Sequence, residues 1–376
     1  MDLEFTEEQD MLRETVRRVC AEHAPLDVVR AMETDPKGYP PEFWKQLAEL
    51  GILGIRIPEE HGGTEMSLLD SVIVYEEFGR SLVPTPHFVS AVLSAGLLLS
   101  AGREEQQQEW LPRIASGEAI LSPAWLEPDR GYGASGVQLG AEVEGDGFRL
   151  SGTKRHVHFV NSAARLIVLA RTGEDDIGFF LVDPDASGVR ATQQQSLASD
   201  TQFRVDFDGV RVSAGDRIGA GRVGWAEWHA VMLDAIVLAA AQAMGGAAQA
   251  LDITCKYAVE REQFGKPLAA FQAISHYLAD AATAVSGGST LVHEAAWARS
   301  QGKSIERLAP MAKLFACQTY RDLTAMAEQV WGGVGFTIEY DIQLYFRRAK
   351  QLQLSWWDTR YLEELVASSV LDGSAV

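Results

Sequence analysis

The sequence predicts an α+β chain in which a helical region is followed by a β region and then by a second helical region. Apolar residues recur at helical spacing at first, the period changes to strand-like alternation near Ala119, and helical spacing returns beyond Trp225. With 376 residues and 47% hydrophobic content, the chain can bury cores for two or three domains. We therefore predict domains at residues 1–118, 119–224 and 225–376.

Helix start and stop signals support the first region. Thr6 and Gln9 form a capping-box pattern ahead of an apolar series. Pro40 and Pro41 precede a second amphipathic run, which ends at Gly51. We expect this domain to be all-helical, with further helices at residues 67–79, 86–100 and 104–114.

Alternating residues indicate a β structure in the middle region. Residues 137–143 and 148–154 alternate on either side of Asp146 and Gly147, a dipeptide typical of hairpin turns. Further strands are predicted at residues 165–170, 177–182 and 203–212, a linker at 219–224, and bundled helices at 248–261, 271–298 and 305–331.

Charge and cysteine content argue against several classes of function. A formal net charge of −19 opposes binding to nucleic acid or to anionic membranes. No run of about 18 uninterrupted apolar residues is evident, and the N-terminus is acidic rather than a basic and apolar signal. Cys20, Cys255 and Cys317 are widely spaced, as buried thiols of a reducing compartment are. We expect a cytoplasmic protein without a metal, a membrane or a nucleic-acid partner.

Two stretches carry the functional signal. One runs from Tyr257 to Leu268, and the other runs from Gln329 to Phe336. They resemble the two flavin-binding signatures of the acyl-CoA dehydrogenase family, and the resemblance extends over almost the whole chain. It implies an FAD-dependent α,β-dehydrogenation of an acyl-CoA thioester, an oligomer in which this half of the site serves the neighbouring subunit's FAD, and an electron-transfer flavoprotein as electron acceptor.

The resemblance assigns cofactor contacts that the residue types can make. Arginine can donate a charge-assisted fork to phosphate, glutamine side chains can donate amide hydrogen bonds, and apolar side chains can form walls around a flat ring. A glycine pair lets a ligand approach the main chain closely. Taken alone, the same residues could instead form a solvated helix end and core packing. The implied FAD contacts are Arg261, Gln263, Phe264, Leu268, Phe271, Gln272, Gln329, Gly332 and Gly333.

Both family positions for the catalytic glutamate lack a carboxylate. Counting in register after Arg347 to Lys350, one position is Trp356. The other is Ala235, followed by Ile236 where relatives carry an arginine. Neighbouring Asp234 is a candidate for a relocated base, although a one-residue step on a helix turns a side chain by about 100°. Asp358 is better explained as the N-cap of the last helix.

The β region also departs from the family pattern. Leu126 and Tyr132 replace a threonine and a serine that bond the flavin in relatives. His156 and His158 stand where a tryptophan and a threonine flank it. Two histidines at this spacing on a strand would share a face, so a metal pair is conceivable, but a flavin-facing or surface role is favoured without a third ligand.

These departures leave three interpretations. The leading one is a subunit that needs a second, base-bearing acyl-CoA dehydrogenase chain. The resemblance implies such a division of labour, because some bacterial members of the family, of fatty acid or steroid catabolism, form α2β2 assemblies. The second is a self-sufficient homo-oligomer that uses Asp234 or another carboxylate. The third is a flavin-free structural subunit.

Overall fold

The computed structural model describes residues 5–174, 176–198, 200–219 and 223–371. Helices precede and follow a central sheet along the chain, which confirms the predicted fold class. Residues 220–222 of the predicted linker lie outside the described residues.

Capping residues set the starts of the N-terminal helices. Thr6 Oγ1 accepts a hydrogen bond from the backbone N–H of Gln9, and the Gln9 side chain accepts one in return, which completes the predicted capping box. Ser67 and Asp70 repeat this arrangement. Residues Phe88–Ser94 form a π-helical segment within the helix predicted at residues 86–100. The α-helices are α1 Glu7–His23, α2 Leu26–Met32, α3 Pro41–Glu49, α4 Leu68–Arg80, α5 Ala95–Ala101 and α6 Glu104–Ala115.

A seven-stranded sheet forms the middle of the chain. The strands are β1 Leu121–Ala124, β2 Gly140–Glu144, β3 Gly147–His158, β4 Arg165–Arg171, β5 Ile177–Val182, β6 Val189–Gln194 and β7 Gln202–Ser213. Their order is β1-β4-β2-β3-β7-β6, with β5 paired to β4. β1 and β4 run parallel, whereas β3 and β7 form a long antiparallel pair. Apolar side chains of these strands form one buried cluster.

The sheet differs from the sequence prediction in two places. Glu144 pairs with Gly147, so the β2–β3 turn consists of Gly145 and Asp146 rather than Asp146 and Gly147. β6 was not predicted, because its residues are mostly polar and exposed and therefore lack an apolar alternation.

Long helices make up the C-terminal region: α7 Trp225–Glu260, α8 Gln272–Ser300, α9 Leu308–Trp331, α10 Ile342–Leu354 and α11 Thr359–Leu371. α7 is more apolar than the sequence analysis anticipated, because no charged residue lies between Asp234 and Asp252. It is long and apolar enough for a membrane span, yet 89% of its most apolar window is buried inside the protein. α7 therefore has the character of a core helix.

Residue contacts divide the chain into two compact units. The first unit contains Met1–Val29, Ser67–Val83 and Ile236–Val376, and the second contains Arg30–Met66 and Pro84–Ala235. In the first unit α9 packs on both α8 and α10, and α1 packs on α4. The second unit contains the sheet. The domain boundaries after residues 118 and 224 remain a prediction.

Candidate functional site

The first signature forms a β-hairpin that projects from the end of α7. Strands β8 (Glu262–Gln263) and β9 (Lys266–Pro267) pair across a two-residue turn of Phe264 and Gly265. Both turn residues have positive φ, 54° and 77°, as a type I′ turn requires. Glycine adopts this conformation freely, but phenylalanine does so at a cost. The Phe264 ring at the tip is 93% exposed, so the chain places a strained aromatic residue in solvent.

Cationic and aromatic groups surround the base of this hairpin. The Lys266 ammonium lies 4.2 Å from the centroid of the Phe271 ring, in a cation–π contact. The Phe264 and Phe271 rings lie edge to face at 6.3 Å. Arg261 and Gln263 are exposed, with Gln263 bonded only locally, to the carbonyl of Glu262. The polar groups of this signature therefore face away from the core of their own unit.

An aromatic stack brings the two signatures together. Tyr257, one turn before Arg261, lies flat against Trp331 with ring centroids 4.1 Å apart. Trp331 immediately precedes Gly332 and Gly333, and its indole N–H donates to Thr254 on α7 at 3.2 Å. Signatures separated by some sixty residues in sequence thus share one edge of the first unit.

The glycine pair leaves open space on that edge. Gly332 has φ +66°, and a Cβ built on either Gly332 or Gly333 would meet no atom within 4 Å. Gln329, one turn earlier, is exposed. A ligand can therefore approach this main chain closely, as the sequence analysis expects for a phosphate or ribose.

A second group of predicted residues lies in the other unit, around an irregularity in β3. The β3–β7 register shifts between Lys154 and Val157, which leaves one extra residue on β3. His156 takes a left-handed conformation there, with φ +53°. This bulge interrupts the strand alternation on which the idea of a shared histidine face depends. The described residues contain no group of three or more His, Cys, Asp or Glu side chains that could hold a metal ion.

Polar partners fix both histidines. His156 Nδ1 lies 2.7 Å from Gln202 Oε1, and His158 Nε2 lies 3.1 Å from Asp200 Oδ2. Burial alone would raise the pKa of Asp200, but hydrogen bonds from His158, Ser196 and Gln202 hold that pKa well below its ordinary value. His158 is therefore oriented by a carboxylate that stays ionised.

A buried ion pair stabilises the loop after β1. Lys154 Nζ donates to Glu127 Oε1 at 2.7 Å, and the same oxygen accepts the backbone N–H groups of Gln138 and Leu139 at 2.8 Å each. Burial lowers the pKa of Lys154 to about 8, although Glu127 opposes the shift. The pair ties the loop that follows Leu126 to the strand that carries the histidines.

The family base position on the last loop holds a constrained pair of tryptophans. Trp356 and Trp357 both have positive φ, 54° and 71°, and Trp357 is fully buried. Lys313 on α9 is also fully buried and donates to the carbonyls of Leu352, Ser355 and Trp357 at 3.2, 2.8 and 2.8 Å. Burial lowers the pKa of Lys313. A buried ammonium therefore holds the turn that puts an indole at position 356.

The other candidate carboxylates have structural partners. Asp234 is buried and accepts a hydrogen bond from Arg56 Nη2 at 2.7 Å. Ala235 beside it is fully buried and carries no functional group. Asp358 accepts the backbone N–H of Tyr361 at 3.0 Å, which confirms it as the N-cap of α11.

Comparison with known proteins decides the family. The model for the acyl-CoA dehydrogenase N-terminal domain matches residues 6–118, and the model for the C-terminal domain matches residues 224–355. The chain belongs to the acyl-CoA dehydrogenase family. This membership identifies it as a flavoprotein oxidoreductase that acts on CH–CH bonds, with FAD as its cofactor.

Individual relatives match this chain over almost its whole length and almost all of their own. The "probable acyl-CoA dehydrogenase YngJ" of Bacillus subtilis is 31% identical over 99% of this chain and 100% of its own. A solved Tcur3481–Tcur3483 steroid ACAD variant is 31% identical, with a TM-score of 0.88 and coverage of 98% and 99%. The ChsE4–ChsE5 complex of Mycobacterium tuberculosis contains a chain that is 27% identical, with a TM-score of 0.90 and the same coverage.

The residues in place fit FAD. Arg261 and Gln263 offer a cation and an amide at the hairpin, and the Gly332–Gly333 turn leaves space beside the main chain. Bound FAD would accept the hydride in an α,β-dehydrogenation, whereas the protein has to supply the base for the α-proton. At the two positions where the register count in the sequence analysis expects that base, Trp356 and Ala235 carry an indole and a methyl group.

Several structural residues escaped the sequence analysis. The sequence analysis singled out none of four such residues: Glu127, Lys154, Asp200 and Lys313. Lys313 lies inside an apolar helical pattern, and this position could have marked it as a buried residue with structural partners, because lysine is rarely buried without them. No local signal pointed to Asp200, since its partner His158 lies forty-two residues earlier.

Proposed function

We propose that the chain is a subunit of a heteromeric acyl-CoA dehydrogenase, in which a second chain supplies the catalytic base and this chain helps to bind that chain's FAD. The observation that carries the proposal is that Trp356 lies in a turn held by hydrogen bonds from Lys313. A glutamate lost by drift would leave a loop free to change, whereas this loop keeps a strained conformation that a buried charge stabilises.

The exposed hairpin supports the second half of the proposal. Arg261, Gln263 and Phe264 make few contacts with their own unit, and a strained, solvent-exposed phenylalanine is costly unless a partner covers it. Other exposed apolar residues lie at the end of the second signature and just beyond it: Phe336, Ile338 and Tyr340. Both signatures therefore carry apolar surface suited to a neighbouring subunit.

The nature of two structural relatives points the same way. The ChsE4–ChsE5 structure is that of a complex, and the Tcur3481–Tcur3483 structure is that of a steroid ACAD designated by two components. By analogy we propose a CoA thioester with a bulky, steroid-type acyl group as the substrate, an electron-transfer flavoprotein as the acceptor, and a cytoplasmic location.

The self-sufficient alternative depends on Asp234, and its contacts disfavour that role. The Asp234 carboxylate lies 2.7 Å from the Arg56 guanidinium, so it is already held by a structural partner in its own unit. Abstraction of the α-proton would neutralise this carboxylate and so break the buried ion pair with Arg56. We therefore assign Asp234 a structural role.

Purification of the chain with and without a co-expressed base-bearing relative tests the proposal. We expect the lone chain to show no enoyl-CoA formation and the mixed complex to be yellow and active. A yellow, active lone chain would establish the self-sufficient alternative. Two results together would establish the flavin-free alternative: the lone chain is colourless, and Arg261→Ala leaves the flavin content of the mixed complex unchanged.

A further inference from the structure

Strand β3 carries an unusual run of basic side chains at its bulge, and all but one have a partner. Lys154 pairs with Glu127, His156 with Gln202 and His158 with Asp200. Arg155, in the middle of this run, is different. Its Nε is buried and meets no hydrogen-bond acceptor in the part of the chain that the structure describes.

The position of Arg155 is fixed by the backbone. Its N–H donates to the carbonyl of Leu126 at 2.9 Å, which ties β3 to the loop after β1. Burial lowers the pKa of the adjacent His156, and the charge of Arg155 lowers it further, so the guanidinium acts on its immediate surroundings. Gln194 Oε1 accepts the backbone N–H of His156 at 3.2 Å, which places a side-chain amide at the same bulge.

The charge balance of the chain makes this arginine anomalous. The sequence has 52 acidic residues against 33 lysines and arginines, so carboxylate partners are abundant. Glu127, an acid in the adjoining loop, already binds Lys154 and two backbone N–H groups. Arg155 as a whole is half-buried, but its Nε–H is buried without an acceptor in the part of the chain that the structure describes. Such a donor is expensive, and native proteins seldom keep one that no ligand or water satisfies.

We propose that Arg155 binds an oxyanion, a phosphate or carboxylate, of a ligand of this enzyme. The amide of Gln194 adds a second donor at the same bulge. This inference rests on the proposed function only in its choice of ligands, which are FAD and acyl-CoA thioesters. These ligands carry the required chemistry in three places: the flavin pyrophosphate, the CoA phosphates and a carboxylate on an acyl group.

Calorimetric binding to the purified assembled protein tests the proposal. Arg155→Gln is compared with Arg155→Lys and with Arg204→Gln, a matched loss of charge on neighbouring β7 at an exposed arginine paired with Asp206. The probes are FAD, added to the flavin-stripped protein, and CoA, 3′-dephospho-CoA, butyryl-CoA and succinyl-CoA. We expect Arg155→Gln to weaken at least one anionic probe by about ten- to a hundredfold. Arg155→Lys should keep part of the affinity, and Arg204→Gln should stay within about twofold.

The pattern of losses identifies the anion. Weaker FAD binding assigns the flavin pyrophosphate, weaker binding of CoA but not of 3′-dephospho-CoA assigns the 3′-phosphate, and weaker binding of succinyl-CoA but not of butyryl-CoA assigns an acyl carboxylate. Unchanged affinity for every probe, in a variant with the wild-type circular dichroism spectrum, overturns the proposal. Because binding needs no turnover, these results stand even if the lone chain proves catalytically self-sufficient.

Discussion

Asp234 and Arg56 form a buried ion pair, with Oδ2 of the aspartate 2.7 Å from Nη2 of the arginine. The two residues are 178 positions apart in sequence and belong to the same compact unit. This pair gives a structural reason for a carboxylate next to the family's base position. An acidic residue at that place therefore does not by itself imply a catalytic base.

Replacement of Asp234 should therefore affect stability more than catalysis. Asp234→Asn leaves the Arg56 guanidinium half-satisfied, so we expect unfolding to become easier by about 1–3 kcal/mol. Turnover by the mixed complex should stay within about twofold of wild type. Asp358→Asn is the matched control, since asparagine also caps helices well and should cost only a few tenths of a kcal/mol. Urea unfolding and enoyl-CoA formation are the measurements.

Loss of Arg261 should weaken flavin retention without disturbing the fold. Its side chain is exposed, so Arg261→Ala removes little packing. A charge-assisted bond to phosphate is worth about 1.5–3 kcal/mol, which predicts FAD dissociation constants raised about ten- to a hundredfold in the assembled complex. Arg360→Ala, at an exposed arginine that pairs with Glu364 on its own helix, should leave FAD affinity unchanged. Equal flavin retention in both variants would argue against the assigned role.

Lys313→Met should destabilise the turn at Trp356. The substitution leaves three carbonyls without their donor, while both tryptophans must still keep positive φ. We expect a loss of about 2–4 kcal/mol in unfolding free energy, together with a change in tryptophan fluorescence. Lys350→Met on α10 is the control, because Lys350 is only half-buried and bonds to Gln353 within its own helix. Identical melting temperatures for the two variants would contradict the anchoring role.

His87 should make stability depend on pH in the acidic range. Its ring is fully buried beside the carbonyl of Ile52, and burial lowers its pKa to about 4, against 6.5 when exposed. Between pH 6.5 and 4 the unfolded chain therefore binds more protons than the folded chain, and acidification through this window destabilises the fold. At pH 5 the contribution is about 2 kcal/mol. His87→Gln keeps a donor for Ile52 but does not titrate, so its unfolding free energy should fall less between pH 7 and pH 5.

Local signals were sufficient to predict much of the fold. The capping box at Thr6, the N-cap at Asp358 and the two changes of period depend on residues close in sequence, and the structure confirms them. β6 was missed because an exposed, polar strand has no apolar pattern to detect. The membrane-like composition of α7 was underestimated, since burial on all sides removes the amphipathic signal.

The candidate site was less accessible from sequence. Motifs identified the flavin signatures, but the contact that joins them, the stack of Tyr257 on Trp331, connects helices far apart in the chain. The partners of Lys313 and His158 are likewise set by tertiary packing. The assumption that His156 and His158 share a strand face did not anticipate the bulge, because a left-handed non-glycine residue leaves no sequence mark.

The most direct test of the account is anaerobic addition of acyl-CoA to the purified lone chain loaded with FAD. General-base catalysis typically contributes about 10² to 10⁴ in rate, so a site without a base should leave the flavin oxidised. We predict an unchanged visible flavin spectrum, followed by bleaching when the base-bearing partner is added. Bleaching of the lone chain by acyl-CoA, abolished in Asp234→Asn with flavin still bound, would contradict the account.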